Sequence, residues 1–171
     1  MQIYVRGSNQ KVSKRELKFA AQFFAHMLMG PRLSQAVKVT INHVKEGALL
    51  GSACWVDDNT NPREFEININ PKLSRKSYLQ TLAHEMTHVK QYAKGELKTL
   101  FNKREMRWKG HYIGENDMHY FDQPWEVEAF GRELGLYLRY QKMVKTAKID
   151  FEKPVTFDHN KLQNVKRIKS L

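Results

Sequence analysis

His84-Glu85-Met86-Thr87-His88 sets two imidazoles four residues apart with a carboxylate beside the first. On a helix, residues four apart point the same way, so both rings can reach one metal ion. Zinc suits such a pair, and Glu85 would stand where a carboxylate can take a proton from a water that the metal has made acidic. The chemistry implied is hydrolysis. A catalytic zinc takes three protein ligands and leaves its fourth position to water, so one further ligand must come from elsewhere in the chain.

A third histidine shortly after the motif is excluded, because Gln91 and Lys94 occupy the Gly and His positions which that option requires. The remaining candidates are His111, His119, Asp122, Glu126, Glu128 and Glu133. Glu126 is favoured. It lies in Pro124-Trp125-Glu126-Val127-Glu128-Ala129, at the start of an expected helix, and Ala129 one turn later leaves room for close packing against the motif helix. Glu128 is the alternative ligand. Two residues along a helix it points about 200° away from Glu126, so the two cannot serve one metal equally. His111, Tyr112, His119 and Tyr120 fall between the two metal-bearing helices and are candidates to help an oxyanion form.

These residues need positioning, and the pattern supplies the elements. Ser74 is a suitable N-cap for the motif helix, Leu79, Leu82, Ala83, Met86, Val89 and Ala93 mark its apolar face, and Gly95 is a natural stop. Strict alternation from Glu64 to Asn70 predicts a half-buried strand directly before it. Upstream, Gln2 to Arg6 reads as a strand. Ser13-Lys14-Arg15-Glu16 then reads as a capping box opening a helix whose stripe is Leu17, Ala20, Ala21, Phe24, Met27 and Leu28. Gly30-Pro31 should end that helix. Val37, Val39 and Ile41 alternate with polar residues in a further strand, and Ser52 to Val56 suggests another, which could offer an edge to an extended peptide. Asp57 to Pro62 is turn-rich. From Gly95 to Gln123 no pattern is legible. Pro124 then suits the first turn of a helix capped by Asp122 or Gln123 and fading near Lys145. The order is α+β in one layered domain.

A strand running into a His-Glu-x-x-His helix resembles the zincin metallopeptidases. The Glu126-Val127-Glu128-Ala129 segment is similar to the Glu-x-x-Ala stretch that supplies the third ligand in their gluzincin branch, an arrangement shared by ImmA/IrrE-like and CaaX-protease-like enzymes. Closer still are small phage-encoded metallopeptidases with a Pro-Trp-Glu-x-Glu-Ala stretch after the motif helix. The resemblance covers roughly Glu64 to Tyr140 and is specific at two short motifs. It implies zinc on His84, His88 and Glu126, Glu85 as general base, and a minimal zincin-like fold: a small, mainly antiparallel twisted sheet with the two metal-bearing helices packed together. Phe130 stands where an Asp often follows the Ala, which leaves the usual supporting hydrogen bond unassigned. The SprT-like proteases, basic and active on DNA-bound proteins, match only weakly, since Gly110-His111 reverses their His-Gly order.

The bulk of the chain agrees with one domain. At 171 residues, 41% hydrophobic, it can bury a real core, and residues 1–145 are expected to form the metallopeptidase domain with 146–171 as a basic tail. One cysteine, Cys54, excludes an intrachain disulfide and points to a cytoplasmic setting, or to the host cytoplasm or virion if the chain is phage-encoded. No apolar run is long enough for a membrane span. The net charge of +11 clusters toward the ends, at Arg6, Lys11, Lys14, Arg15 and Lys18 and again from Lys142 to Lys169. A protein or peptide substrate is one expected partner. Nucleic acid or an acidic protein is the other, and it gives the alternative reading: a catalytically silent zinc-binding protein that works through its basic surface. His26, His43 and His159 are read as structural or solvent-facing.

Overall fold

The computed structural model describes residues 1–44, 50–57, 59–100, 105–114 and 117–158. Asp58, His159 and the lysines and arginine from Lys161 to Lys169 lie outside them. The fold is α+β. Strands β1 (Gln2–Arg6), β2 (Lys38–His43), β3 (Gly51–Trp55) and β4 (Glu64–Ile69) form one sheet in the order β1-β2-β4-β3. The β1–β2 and β2–β4 pairs are parallel, and β3 runs antiparallel to β4 along the edge. Over both sheets antiparallel pairings outnumber parallel ones, while the larger sheet alone is mixed.

The period-two pattern decides which face is buried. Ile3, Val39, Ile41, Phe65, Ile67 and Ile69 point into the core. The opposite face carries Arg6–Glu66 and Lys38–Glu64 ion pairs and an Asn42–Asn68 hydrogen bond of 3.0 Å between neighbouring strands. Helices α1 (Lys14–Gln35) and α2 (Arg75–Ala93) cover the apolar face, and α3 (Pro124–Thr146) packs against both. Ser74 caps α2 through Ser77 N at 3.1 Å, and Gly95 leaves it at φ 68°, a conformation glycine adopts without strain.

Three expectations need correction. In the capping box, Ser13 accepts from Glu16 N at 3.2 Å, but the Glu16 side chain does not return to Ser13. It is buried and binds Arg75 of α2 and the Tyr140 hydroxyl of α3, tying three helices together. At Gly30-Pro31 the helix kinks rather than ends. Gly30 sits at φ 75°, and Pro31 opens one more short helical stretch to Gln35. Helix α1 is also buried beyond its expected stripe, because residues after α3 return to it. Phe151 and Phe157 meet Phe19 edge-on at 5.6 and 5.3 Å.

The third correction is the segment after Gly95. It holds a second, antiparallel sheet of β5 (Leu97–Leu100), β6 (Glu105–Trp108) and β7 (His111–Gly114). Lys109 and Gly110, at φ 46° and 98°, form the two-residue turn between the last two strands. Both positive angles match the tight hairpin turn that Asn-Gly usually signals. Lys-Gly gives no such signal, and four-residue strands are too short to show a period. Leu97, Trp108 and Trp125 form the small apolar cluster that seats this sheet against the start of α3. A 3-10 turn at Tyr120–Asp122 leads into α3, whose N-cap is Gln123. Among the described residues no helix is long and apolar enough to cross a membrane.

Candidate metal centre

Helices α2 and α3 meet along a polar seam inside an otherwise apolar contact. His84 and His88 project from consecutive turns of α2, and Glu126 from the first turn of α3; all three are at most 8% exposed. Their ligand atoms converge. His84 Nε2 lies 3.2 Å from His88 Nε2 and 3.3 Å from Glu126 Oε2, while His88 Nε2 lies 3.3 Å from Glu126 Oε1. A tetrahedral ion with arms of about 2.0–2.1 Å separates its ligand atoms by about 3.3–3.4 Å. The two histidine nitrogens are spaced as such an ion needs, each lies at that distance from one oxygen of the Glu126 carboxylate, and one ligand atom from each of the three residues lies within 4.8 Å of the others. This buried group can hold a metal ion.

The outer nitrogens of both rings are also fixed. His84 Nδ1 donates to Glu133 Oε2 at 3.1 Å. His88 Nδ1 donates to Gln91 Oε1 at 2.8 Å. The Gln91 amide is oriented in turn, because its Nε2 donates to Trp125 O at 2.9 Å and to Glu128 Oε2 at 3.1 Å. With a proton held on each Nδ1, each neutral ring turns its Nε2 lone pair inward. Two lone pairs and a carboxylate then face each other in a dry site, an arrangement that calls for a positive charge at its centre. Burial works to lower the His84 pKa, yet its hydrogen bonds to Glu126 and Glu133, with the charges of Glu85 and Glu126, push it up to about 9, so that in the metal-free protein a proton on His84 supplies that positive charge and a metal ion would take its place. Burial works to raise that of Glu126, and His84, His88 and Tyr120 pull it down to about 2.

Each candidate from the sequence now has a place. Glu128 is not at the cluster: its carboxylate takes Lys90 Nζ at 2.8 and 3.0 Å and Arg132 Nε at 2.9 Å. Glu133 supports His84 as described. The Tyr120 hydroxyl donates to Glu126 Oε2 at 2.8 Å, which brings one of the four proposed oxyanion helpers to the ligands. His111 and Tyr112 lie exposed on β7, and His119 stacks on Phe121 with ring centroids 5.8 Å apart. Asp122 is exposed in the 3-10 turn. Glu85 is 5% exposed on the side of α2 that faces the start of β3. A Cβ added to Gly51 would come within 2.9 Å of Glu85 Oε1 and 2.6 Å of Thr81 Cγ2, so the strand passes the helix where only glycine fits.

Two supports escaped the sequence reading. Phe130 occupies the position from which a carboxylate was expected to brace a histidine; its ring instead packs on His84 at 4.6 Å. The brace comes from Glu133, one turn further along, and its counterpart from Gln91 on α2 itself. Helical spacing is the signal that could have found both, since Glu133 lies seven residues after Glu126 and Gln91 three after His88. No protein-family model, curated protein or solved structure matches the chain.

Proposed function

We propose that the chain is a zinc-dependent metallopeptidase. The observation that carries this reading is the convergence of His84, His88 and Glu126, with Glu85 next to His84 in sequence and buried on the side of the same helix that faces β3. A hard–borderline set of two imidazoles and one carboxylate suits zinc and leaves room for a fourth, non-protein ligand. Bound there, zinc would supply Lewis acidity and make water acidic near neutral pH.

The protein's own groups would do the rest. Glu85 takes a proton from the attacking water and returns it to the leaving amine of the peptide. Its carboxylate is buried on α2 and faces Gly51 of β3, whose missing side chain leaves it room. Tyr120, already donating to Glu126, can turn its hydroxyl toward the carbonyl oxygen as negative charge develops there. Glu133 and Gln91 keep both histidine rings in one tautomer. Strand β3 borders this site as the edge strand, where an extended peptide can add in register.

Zinc per chain, measured by elemental analysis, tests the metal. Near one equivalent is expected. Cleavage of an unstructured protein such as denatured casein tests the chemistry, with Glu85→Gln expected to keep zinc and to lose activity by at least about a hundredfold. Failure to bind supplied zinc, or undiminished cleavage by Glu85→Gln, overturns the reading. The charge of +11 supports the alternative of a silent metal-binding protein with a basic docking surface. Some of its basic groups are engaged at the surface of the fold: Arg15 binds Glu152 O at 2.6 Å, Lys11 binds Lys72 O at 3.1 Å, and Arg6 pairs with Glu66.

A further inference from the structure

Helix α3 has two faces of different character. Its inner face carries Ala129, Leu136, Tyr140 and Met143 into the core together with Glu126. Its outer face is also apolar. Val127, Phe130, Leu134 and Leu138 recur at three-, four- and four-residue steps and stand 53, 41, 49 and 55% exposed. On a helix those positions form one stripe. Large exposed side chains scattered singly need no explanation, but a continuous stripe marks a contact surface.

Within it lie Gly131 and Gly135, one turn apart. Glycine weakens a helix interior, and it is retained where a turn or a close approach requires it. Neither has a positive φ, and a Cβ built on either meets nothing within 4 Å. The described fold makes no use of the space these glycines leave. Together with the stripe they form a ridge beside a flat strip, the relief on which a second helix can seat closely.

Charge narrows the occupant. All three carboxylates of α3 turn inward: Glu126 to the histidines, Glu128 to Lys90 and Glu133 to His84. Lys142 and Lys145 are left exposed where the stripe continues toward the C-terminal end of the helix. We propose that this face docks a helix of a partner protein, one with an apolar stripe flanked by acidic residues. A second copy of the chain would bring another net charge of +11 to the contact. The chain's own residues 159–171 carry Lys161, Lys166, Arg167 and Lys169 and no acid, so they lack the complementary sign. The stripe begins at the metal centre, since Phe130 packs on His84 and on Phe121, with centroids 4.6 and 5.7 Å apart. A docked helix would therefore lie along the rim of the site. The docking itself is independent of whether the site binds zinc or cuts peptides.

A fluorescein-labelled helical peptide of about 18 residues tests this, with leucines at i, i+3 and i+7 spacing and glutamates on the flanks. Fluorescence anisotropy is read with a chelator present, so that failure here is separate from failure of the zinc reading. Saturable binding is expected, weakened at least about tenfold in Leu134→Asp and in Gly131→Leu. The leucine variant keeps a good helix former at its site, so circular dichroism should show it folded. A peptide with lysines in place of the glutamates should bind at least about tenfold more weakly. Absent binding, equal binding of the lysine peptide, or binding unchanged in both variants overturns the proposal. So does a concentration-dependent dimer in sedimentation velocity that Leu134→Asp disperses, which would assign the face to a second copy.

Discussion

Two polar clusters lie side by side between α2 and α3, and each is built around one glutamate of the same first turns. Around Glu126 gather His84 and His88, groups that can all be acceptors at once. Around Glu128 gather Lys90, Gln91 and Arg132, all donors, with Glu96 on the far side of Lys90 at 2.6 Å. The second cluster is balanced with protein atoms alone. The first, to which Tyr120 brings one donor, is balanced only when a positive charge, a proton on a histidine or a metal ion, sits among its acceptors. Burial and acidity therefore do not mark a ligand; the sign of the surrounding groups does. Gln91 joins the clusters, with its oxygen on His88 and its nitrogen on Glu128.

The largest expected effect separates the two glutamates. Glu126→Ala should abolish near-stoichiometric zinc, whereas Glu128→Ala should keep it. Equal loss in both would break the comparison. Glu128→Ala should instead lower stability by about 1.5–3 kcal/mol in urea titrations of the metal-free protein, because Lys90 keeps Glu96 but loses its second carboxylate. The pH dependence has a definite sign. Burial works to raise the Glu128 pKa, and Lys90, Gln91 and Arg132 pull it from its ordinary 4.5 to about 2. A carboxyl so depressed stabilises the fold fully above about pH 5 and loses that contribution as pH falls toward 2. The melting temperature of Glu128→Gln should therefore fall less steeply over that range than that of the unaltered protein.

Smaller effects sharpen the link. Gln91→Leu should weaken zinc binding by about 10- to 100-fold in competition with a chromophoric chelator, since His88 loses the group that holds its tautomer. An unchanged affinity would show that the bridge between clusters carries nothing. The smallest effect has the opposite direction: Gly131→Ala should raise stability by about 0.5–1 kcal/mol, as a solvent-facing helix position with room for the methyl.

Sequence alone reached the zinc-type motif, its helix with both ends, the strand before it, and the residue that completes the cluster. Those features are local, or follow from period and caps. The choice between Glu126 and Glu128 rested on direction along a helix, and the structure supplies the reason behind it in Lys90. Tertiary partners were not legible. Glu16 looked like a local cap and is a three-helix tie, because a half-buried arginine and a buried tyrosine from distant segments outcompete one backbone amide for it. Residues 97–114 looked irregular because each strand is short and the turn is made by Lys-Gly. The histidine braces were hidden for a similar reason: any acid or amide at helical spacing can serve, so no fixed motif announces them.

The spacing of the ligands has a further consequence for the chain as a polymer. His84 and Glu126 lie 42 residues apart, and the whole second sheet hangs between them. Tying the ends of so long a loop removes conformational freedom from the open chain, by an amount that rises with the logarithm of loop length. A metal ion at that junction would act as a clasp as well as a reagent. With the clasp open, β5–β7 could peel from the body as a unit, while the four-stranded sheet and α1, which lie outside the loop, keep their register.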